Sequence, residues 1–318
     1  MKRLRVHTVL WWGLGALWIW DAVLSLQRDM GLGQLYMVTM GGAGEPGWYV
    51  RLINDQLIAY LYNHQLASAL DATVFIIQMA LGLAIAFGRD RRLGRWALWA
   101  SLGWALLVWF FAEWMGGLLA GMSFFTGGPG AAILYAAVGV ILLARRGPDD
   151  QFLPRFGRVL GAAWLVGAAL QAFPGWWRSL TVADAVRGNL VLTPVSVRTA
   201  PIKAFVTLAS RHPITANLSL MLAMMAVGLL LVRGPERPAS YGALVVWAGA
   251  LWWLGENLGG VFGGLSTDPN TGAVWIMLAV AGVAAARAGQ RGFAPTASSS
   301  RTDARRARRQ GRERRLPV

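Results

Sequence analysis

Apolar segments long enough to cross a lipid bilayer alternate with polar segments along the chain. Eight apolar runs, each roughly 16 to 22 residues long, are separated by polar segments, and about 20 apolar residues cross a hydrocarbon core of about 30 Å. The pattern predicts an all-α, polytopic membrane protein with eight transmembrane helices. The predicted helices span residues 8–27, 66–87, 95–113, 129–144, 157–173, 214–232, 240–256 and 272–286.

The basic residues predict how these helices are oriented. Arg and Lys collect before the first run and at every second junction after it, as is typical of cytoplasmic segments. We therefore expect a multi-pass protein of the cell membrane with both termini in the cytoplasm. The basic positions are Lys2, Arg3, Arg5, Arg89, Arg91, Arg92, Arg95, Arg145, Arg146, Arg155, Arg158, Arg233 and Arg237.

A repeated motif divides the chain into two halves. Glu113-x-x-Gly-Gly ends the third apolar run, and Glu256-x-x-Gly-Gly ends the seventh. We predict a first four-helix membrane repeat over residues 1–147 and a second over 148–286. Because four is an even number, both repeats enter the membrane with the same orientation, and the two bundles should be related by an axis along the membrane normal.

Composition narrows the chemistry. Hydrophobic residues make up 56% of the chain, charged residues 14%, and cysteine is absent, which excludes disulfide exchange and cysteine-bound metal clusters. The segment 287–318 holds ten arginines, so much of the formal net charge of +15 lies there. We predict a disordered cytoplasmic tail that maintains the orientation of the protein in the membrane or contacts anionic lipid, and we expect no nucleic-acid partner.

The predicted outer loops contain structure of their own. Two of them are about forty residues long, and each carries apolar residues at near-helical spacing, which predicts interfacial helices over the mouth of each bundle. Residues 116–128 are rich in glycine and are expected to fold back against protein, where irregular backbone is tolerated. The apolar positions are Trp48, Leu52, Leu57, Ile58, Leu61 and Tyr62 in the first loop and Ile202, Phe205, Val206 and Leu208 in the second.

Three segments carry a resemblance to a known family. Leu17-Trp-Ile-Trp-Asp-Ala-Val-Leu-Ser-Leu-Gln, Glu113-x-x-Gly-Gly and Thr126-Gly-Gly-Pro-Gly-Ala followed by Leu134-Tyr135 resemble membrane proteins related to the DoxX family. The resemblance covers residues 8–145 and 157–286, so the chain looks like two fused four-helix units. It implies a link to respiratory quinol or thiosulfate oxidation, with a quinone as cofactor and a membrane oxidoreductase complex as partner.

Carboxylates in the outer layer of the first bundle form the candidate site. Asp21, Asp71 and Glu113 come from three different predicted helices, and acids inside apolar segments are expensive to keep. In the second half Glu256 persists, whereas Asp21 aligns with Gly167 and Asp71 with Asn217 or Ser219. We expect an outward-facing ligand or ion pocket in which these carboxylates share protons or bind a cation. Alternatively, each acid reaches the interface, pairs with Arg28 or Arg51, or caps the glycine segment.

Other polar residues are candidates for supporting this pocket, namely His64, His212, Arg51 and Gln78. The two histidines lie in different halves without a supporting ligand set, so we predict no metal site. The tryptophans include a dense group that can line a flat apolar ligand, formed by Trp104, Trp109, Trp114, Trp252 and Trp253.

Three functions remain open from the sequence. The first is a DoxX-like accessory or small-molecule-binding component that meets a quinone or another amphipathic molecule. The second is a transporter of a cation or cationic metabolite, and the third is a structural scaffold of a membrane complex. No nucleophile with an attendant base, phosphate loop or metal signature is present, so nothing in the sequence supports hydrolytic or group-transfer catalysis.

Overall fold

A computed structural model describes residues 6–27, 41–58, 62–89, 91–144, 149–178, 181–190, 198–264 and 266–293. In these ranges the regular structure is entirely helical. The α-helices are α1 (Val6–Leu24), α2 (Gly47–Ile53), α3 (His64–Phe87), α4 (Arg92–Phe111), α5 (Ala131–Ala144), α6 (Asp149–Gln171), α7 (Thr181–Gly188), α8 (Ala200–Arg211), α9 (Pro213–Arg233), α10 (Pro238–Ala250) and α11 (Asn270–Phe293). Short 3₁₀ or π turns follow α2, α4, α6 and α10.

Four helices are long and apolar enough to cross a membrane: Gln65–Phe87, Arg92–Phe111, Pro213–Arg233 and Asn270–Gln290. They leave large apolar side chains uncovered, as do other helices; Phe87 is 70% exposed, Trp96 72% and Val246 75%. Such surfaces are unfavourable in water and favourable against lipid tails. The chain is therefore a helical membrane protein with a lipid bilayer as its environment.

The other four predicted spans correspond to α1, α5, α6 and α10, which are shorter or more polar. The helix α5 has 14 residues and α10 has 13, although a π turn, Leu251–Gly255, extends the latter. The helix α1 contains Asp21, and α6 begins with two acidic residues and contains Pro154. Length and composition alone therefore do not mark these four helices as spans.

The helix boundaries differ from the prediction at two places. The helix α6 begins at Asp149, before the predicted start at 157, because its charged first turns are helical as well. The helix α11 continues to Phe293, so the predicted boundary between the second repeat and the tail, at residue 286, falls inside a helix. Residues 294–318 of the predicted tail lie outside the described residues.

Glycines allow two pairs of helices to pack closely, α1 against α3 and α6 against α9. A Cβ atom on Gly82 would lie 2.8 Å from the carbonyl oxygen of Gly15. A Cβ atom on Gly161 would likewise lie 2.7 Å from the carbonyl oxygen of Gly228. Only glycine permits this separation, as in other closely packed membrane helices.

One hydrophobic core runs through both predicted repeats. It contains Trp18 and Tyr135 from the first and Trp164 and Trp275 from the second, all at most 2% exposed. The helix α11 of the second half contacts both α1 and α5 of the first half. The halves therefore share an extensive interface, and the site described below lies beside it.

Candidate functional site

The Glu-x-x-Gly-Gly motif folds into a left-handed turn. Residues Trp114–Gly117 have φ angles of 52°, 51°, 63° and 75°, and Asn257–Gly260 have φ angles of 52°, 56°, 68° and 68°. This conformation favours glycine, since side chains with a Cβ are disfavoured there by about 1–2 kcal/mol per residue. Space is also restricted, because a Cβ on Gly116 would overlap the carbonyl group of Pro129. The first glycine of the motif is thus required by space as well as by φ, and the same holds for Gly259, where a Cβ would lie 2.5 Å from the carbonyl carbon of Pro269.

The carboxylate of each motif glutamate lies at the start of the helix that follows the turn. The backbone N–H of Ala132 donates to the carboxylate oxygens of Glu113 at 3.0 and 3.2 Å. In the second half, Glu256 accepts hydrogen bonds from the Gly272 N–H at 2.9 Å and from the Thr271 hydroxyl. Both acids therefore cap the helix after the glycine segment rather than the segment itself, and a helix N-terminus stabilises such a group.

In each half, a tryptophan side chain donates a hydrogen bond to the proline that lies just before the following helix. The indole N–H of Trp109 donates to the carbonyl oxygen of Pro129 at 2.8 Å, and that of Trp252 donates to the carbonyl oxygen of Pro269 at 2.6 Å. These bonds hold the segment that leads into α5 or α11 against the preceding helix. Of the predicted tryptophan group, these two therefore have a defined structural role.

A cavity of about 300 Å³ lies between α1, α3, α4 and α5. Its wall is mostly apolar and includes Trp18, Val74, Trp104 and Phe111, while Leu57 of the first outer loop closes part of it. Its polar lining residues are Asp21, Ser25, Gln78, Glu113, Tyr135, Thr267 and Asp268. An apolar cavity with a few converging polar groups is the usual form of a small-molecule site.

The polar groups of α1, α3 and α5 are joined by hydrogen bonds. The Tyr135 hydroxyl donates to Oδ1 of Asp21 at 3.1 Å. The Ser25 hydroxyl lies within hydrogen-bond distance of Oε1 of Gln78, at 3.3 Å. Asp21 is only 2% exposed and Gln78 only 5%, so these groups depend on protein or ligand partners rather than on bulk water.

Asp268 enters this cavity from the second half of the chain. Its carboxylate accepts hydrogen bonds from the backbone N–H of Asn270 at 2.6 Å and from the Thr267 hydroxyl at 3.0 Å. It interacts electrostatically with Asp21 and Glu113. Burial raises the pKa of Asp268, although its two hydrogen bonds act in the opposite direction. Three carboxyl groups from both halves thus meet at one cavity.

The sequence-predicted site residues divide into two groups. Asp21, Glu113 and Gln78 line the cavity. Asp71 does not, because Leu70, Val74 and Gln78 form the lining face of α3 and position 71 lies 100° around the helix from Leu70. Its Oδ1 atom is buried and has no partner within the described residues.

The remaining predicted residues lie elsewhere. Glu256 caps α11 and is not among the lining residues. Arg51 is exposed on α2, and His212 is exposed between α8 and α9, so neither reaches the cavity. The side chain of His64 and the whole of Arg28 lie outside the described residues. Among those described, no three His, Asp or Glu side chains form a group that could hold a metal ion.

The corresponding space in the second half is filled by a side chain from the first. Phe124 is 4% exposed and packs its ring against Trp275, with centroids 5.8 Å apart, and against Trp164 at 5.7 Å. A Cβ on Gly167, the residue aligned with Asp21, would lie 2.8 Å from the Phe124 ring. The ring therefore occupies the space that an aspartate would need.

Three buried polar side chains in the same region are linked by hydrogen bonds. The Ser123 hydroxyl donates to Oε1 of Gln171 at 2.6 Å, and Nε2 of Gln171 donates to Oδ1 of Asn217 at 2.6 Å. All three side chains are at most 2% exposed. These three side chains are thus paired with each other, whereas the indole N–H groups of Trp164 and Trp275 are buried without a partner in the described residues.

Sequence reasoning missed two site features, Asp268 and Phe124. Both lie in the glycine-rich segments, and each one reaches the opposite half. The one signal in the sequence was their position between the Glu-x-x-Gly-Gly motif and the following helix.

Comparisons with protein-family models, with curated proteins and with solved structures found no match for this chain.

Proposed function

We propose that this chain is a small-molecule-binding membrane protein of the DoxX-like kind. It consists of eight membrane helices in two four-helix repeats of the same orientation, with both termini in the cytoplasm. The first repeat binds an amphipathic molecule, and the second is a scaffold. The observation that carries this function is the cavity of about 300 Å³ in the first half.

The repeat is supported by contacts that recur in both halves. The Gly15 and Gly82 contact has its counterpart in Gly161 and Gly228, and the two left-handed turns have nearly the same φ angles. The caps by Glu113 and Glu256 recur as well. The halves differ where the first has a cavity and the second has Phe124, which favours a single binding cavity, located in the first half.

The experiment fills the cavity and measures binding of a neutral amphipathic probe, 2-(2-naphthyl)ethanol, by equilibrium dialysis in detergent. Val74→Phe should weaken binding at least about tenfold, because Val74 lines the cavity. Ile76→Phe is the matched control, since Ile76 is on the same helix and 62% exposed. Equal binding by both variants would contradict the proposed site.

The DoxX-like resemblance extends the proposal to quinone-linked redox complexes. A quinone has the flat apolar ring and polar oxygens that suit a wall containing Trp18 and Trp104. A short-chain quinone should therefore compete with the naphthyl probe in the same dialysis assay. For an accessory role, purification from native membranes should recover a stoichiometric oxidoreductase, whereas recovery of this chain alone would count against that role.

A transporter is the second candidate, favoured by the three carboxyl groups at the cavity. Uptake of tetramethylammonium, which does not cross lipid unaided, into proteoliposomes tests it directly. The double variant Asp21→Asn, Glu113→Gln should abolish uptake if these acids carry the cation. Uptake that the double variant leaves unchanged would end this candidate.

A further inference from the structure

The described lining of the cavity carries acidic groups without matching positive charge. Asp21, Glu113 and Asp268 line it, and none of the described lining residues is Lys, Arg or His. An anionic ligand would be repelled by these groups when they are ionised, and beside a neutral ligand they would stay protonated or unpaired. A cation supplies the missing charge, and buried carboxylates are stabilised when they are paired.

The arrangement favours an organic cation over a metal ion. Metal ions need several ligands converging within a short distance, and no such group of acidic or His side chains exists in the described part of the chain. Most of the lining is instead apolar, with aromatic side chains from Trp18, Trp104 and Phe111. Aromatic faces attract alkylammonium groups and also contact an apolar body.

Two donors line the same cavity without a partner among the described residues. They are the indole N–H of Trp104 and the amide nitrogen of Gln78, whose side chain is 5% exposed. Unpaired indoles also occur at Trp114, Trp164, Trp247 and Trp275, which do not line the cavity. An occupant with a hydrogen-bond acceptor would pair the two cavity donors.

Trp104 and Glu113 lie at different depths of the cavity. Trp104 precedes Glu113 by nine residues, which corresponds to roughly 13 Å at 1.5 Å per residue. An occupant whose cationic end lies beside Glu113 and Asp268 can therefore reach Trp104 with its other end. The cavity suits an elongated molecule.

We propose that this cavity binds an organic ammonium compound with an apolar body and a hydrogen-bond acceptor. Asp268, supplied by the second half, is one of the carboxylates that bind the ammonium group. The site is incomplete without the second half, which therefore contributes to binding although its own corresponding space is filled. This inference rests on the proposed ligand-binding function of the cavity and names its ligand class.

The test compares two probes of nearly the same shape, 2-(2-naphthyl)ethylamine, which is cationic at neutral pH, and 2-(2-naphthyl)ethanol. We expect the amine to bind the full-length protein at least about tenfold more tightly than the alcohol in equilibrium dialysis. Asp268→Asn should lower the ratio of amine affinity to alcohol affinity several-fold, because it removes one carboxylate while keeping the size of the side chain. Glu113→Gln should act in the same direction.

The alcohol reports folding, because a misfolded variant would lose both probes. Asp184→Asn is the matched control, since Asp184 is exposed and pairs with Arg187 far from the cavity lining. Equal binding of amine and alcohol by the wild type would overturn the ammonium proposal and leave the binding function standing. Absence of binding by either probe would overturn both.

Discussion

Tyr135 on α5 donates its hydroxyl hydrogen bond to Asp21 on α1, with 3.1 Å between Oη and Oδ1. The Tyr135 ring also packs edge-on against Trp18, with centroids 4.8 Å apart. This contact ties the two helices together and fixes the position of one cavity carboxylate. In the second half, Gly167 replaces Asp21 and Phe124 occupies the space, so no equivalent bond forms there.

Replacing Tyr135 by Phe should destabilise the fold. The substitution keeps the ring but leaves buried Asp21 without its donor, and an unsatisfied buried acceptor costs about 1–3 kcal/mol. We expect the free energy of unfolding in a mixed-detergent titration to fall by that amount. Tyr62→Phe is the control, because Tyr62 is 73% exposed. An unchanged unfolding free energy for Tyr135→Phe would show that the bond contributes nothing.

The left-handed turn of the second half leads to a second prediction, at Gly259. An alanine there would adopt a φ of 68° with its Cβ 2.5 Å from the carbonyl carbon of Pro269. The conformation alone disfavours alanine by about 1–2 kcal/mol, and the overlap adds to it. We expect Gly259→Ala to lower the thermal unfolding temperature and the yield of monodisperse protein.

Gly242→Ala is the control for this change. Gly242 lies inside α10, and a Cβ there would have no neighbour within 4 Å. Alanine is the better helix former by about 1 kcal/mol, so this variant should be neutral or stabilising. If both variants behave alike, backbone geometry is not the reason for glycine in the motif.

The sequence predicts the long helices well because apolar periodicity and length determine them. The prediction for α3 was 66–87, and the helix is His64–Phe87; α4 was predicted at 95–113 and is Arg92–Phe111. The charged start of α6 and the short helix α7, Thr181–Gly188, were missed. Neither has the long apolar run on which the prediction relied.

The site was predicted only in part, for a related reason. Asp21 and Glu113 stand out because acids are rare in apolar segments. Asp268 lies in a loop, where acids are common, and its role depends on where the loop packs. Phe124 likewise looks like one more apolar residue until the fold brings it between Trp164 and Trp275. Contacts between the halves are tertiary, and no local pattern encodes them.

Removing the Phe124 ring should open a cavity in the second half. Phe124→Ala deletes a buried ring packed on two tryptophans, and such changes cost about 3–5 kcal/mol. If the variant folds, 2-(2-naphthyl)ethanol should bind with a stoichiometry of about two instead of one. Equilibrium dialysis at saturating probe measures this directly.

The control for Phe124→Ala is Phe173→Ala. Phe173 is 60% exposed, so its loss should change stability and stoichiometry little. A destabilised Phe124→Ala protein that still binds one probe would show that the space collapses when the ring is removed. In that case the filled second half would be a packed core without a latent site.

The acidic cavity predicts how stability depends on pH. Burial raises the pKa of Asp268 above its ordinary value of 3.8. Asp21, Glu113, Glu256 and Tyr135 interact with it electrostatically, and no described lining residue is a cation. Above that ordinary value the folded state holds a proton that the unfolded state releases. The stability from this proton is fully present at low pH and is lost as the pH rises through the raised pKa.

Asp268→Asn removes this proton while keeping an oxygen for the Asn270 N–H. Its free energy of unfolding, relative to the wild type, should therefore rise with pH when both proteins are unfolded across about pH 4 to 8. Asp184→Asn, which changes an exposed acid, measures the background trend. A difference that is flat or falls with pH would mean that folding does not raise the pKa of Asp268, so that its negative charge is already compensated without an ammonium ligand.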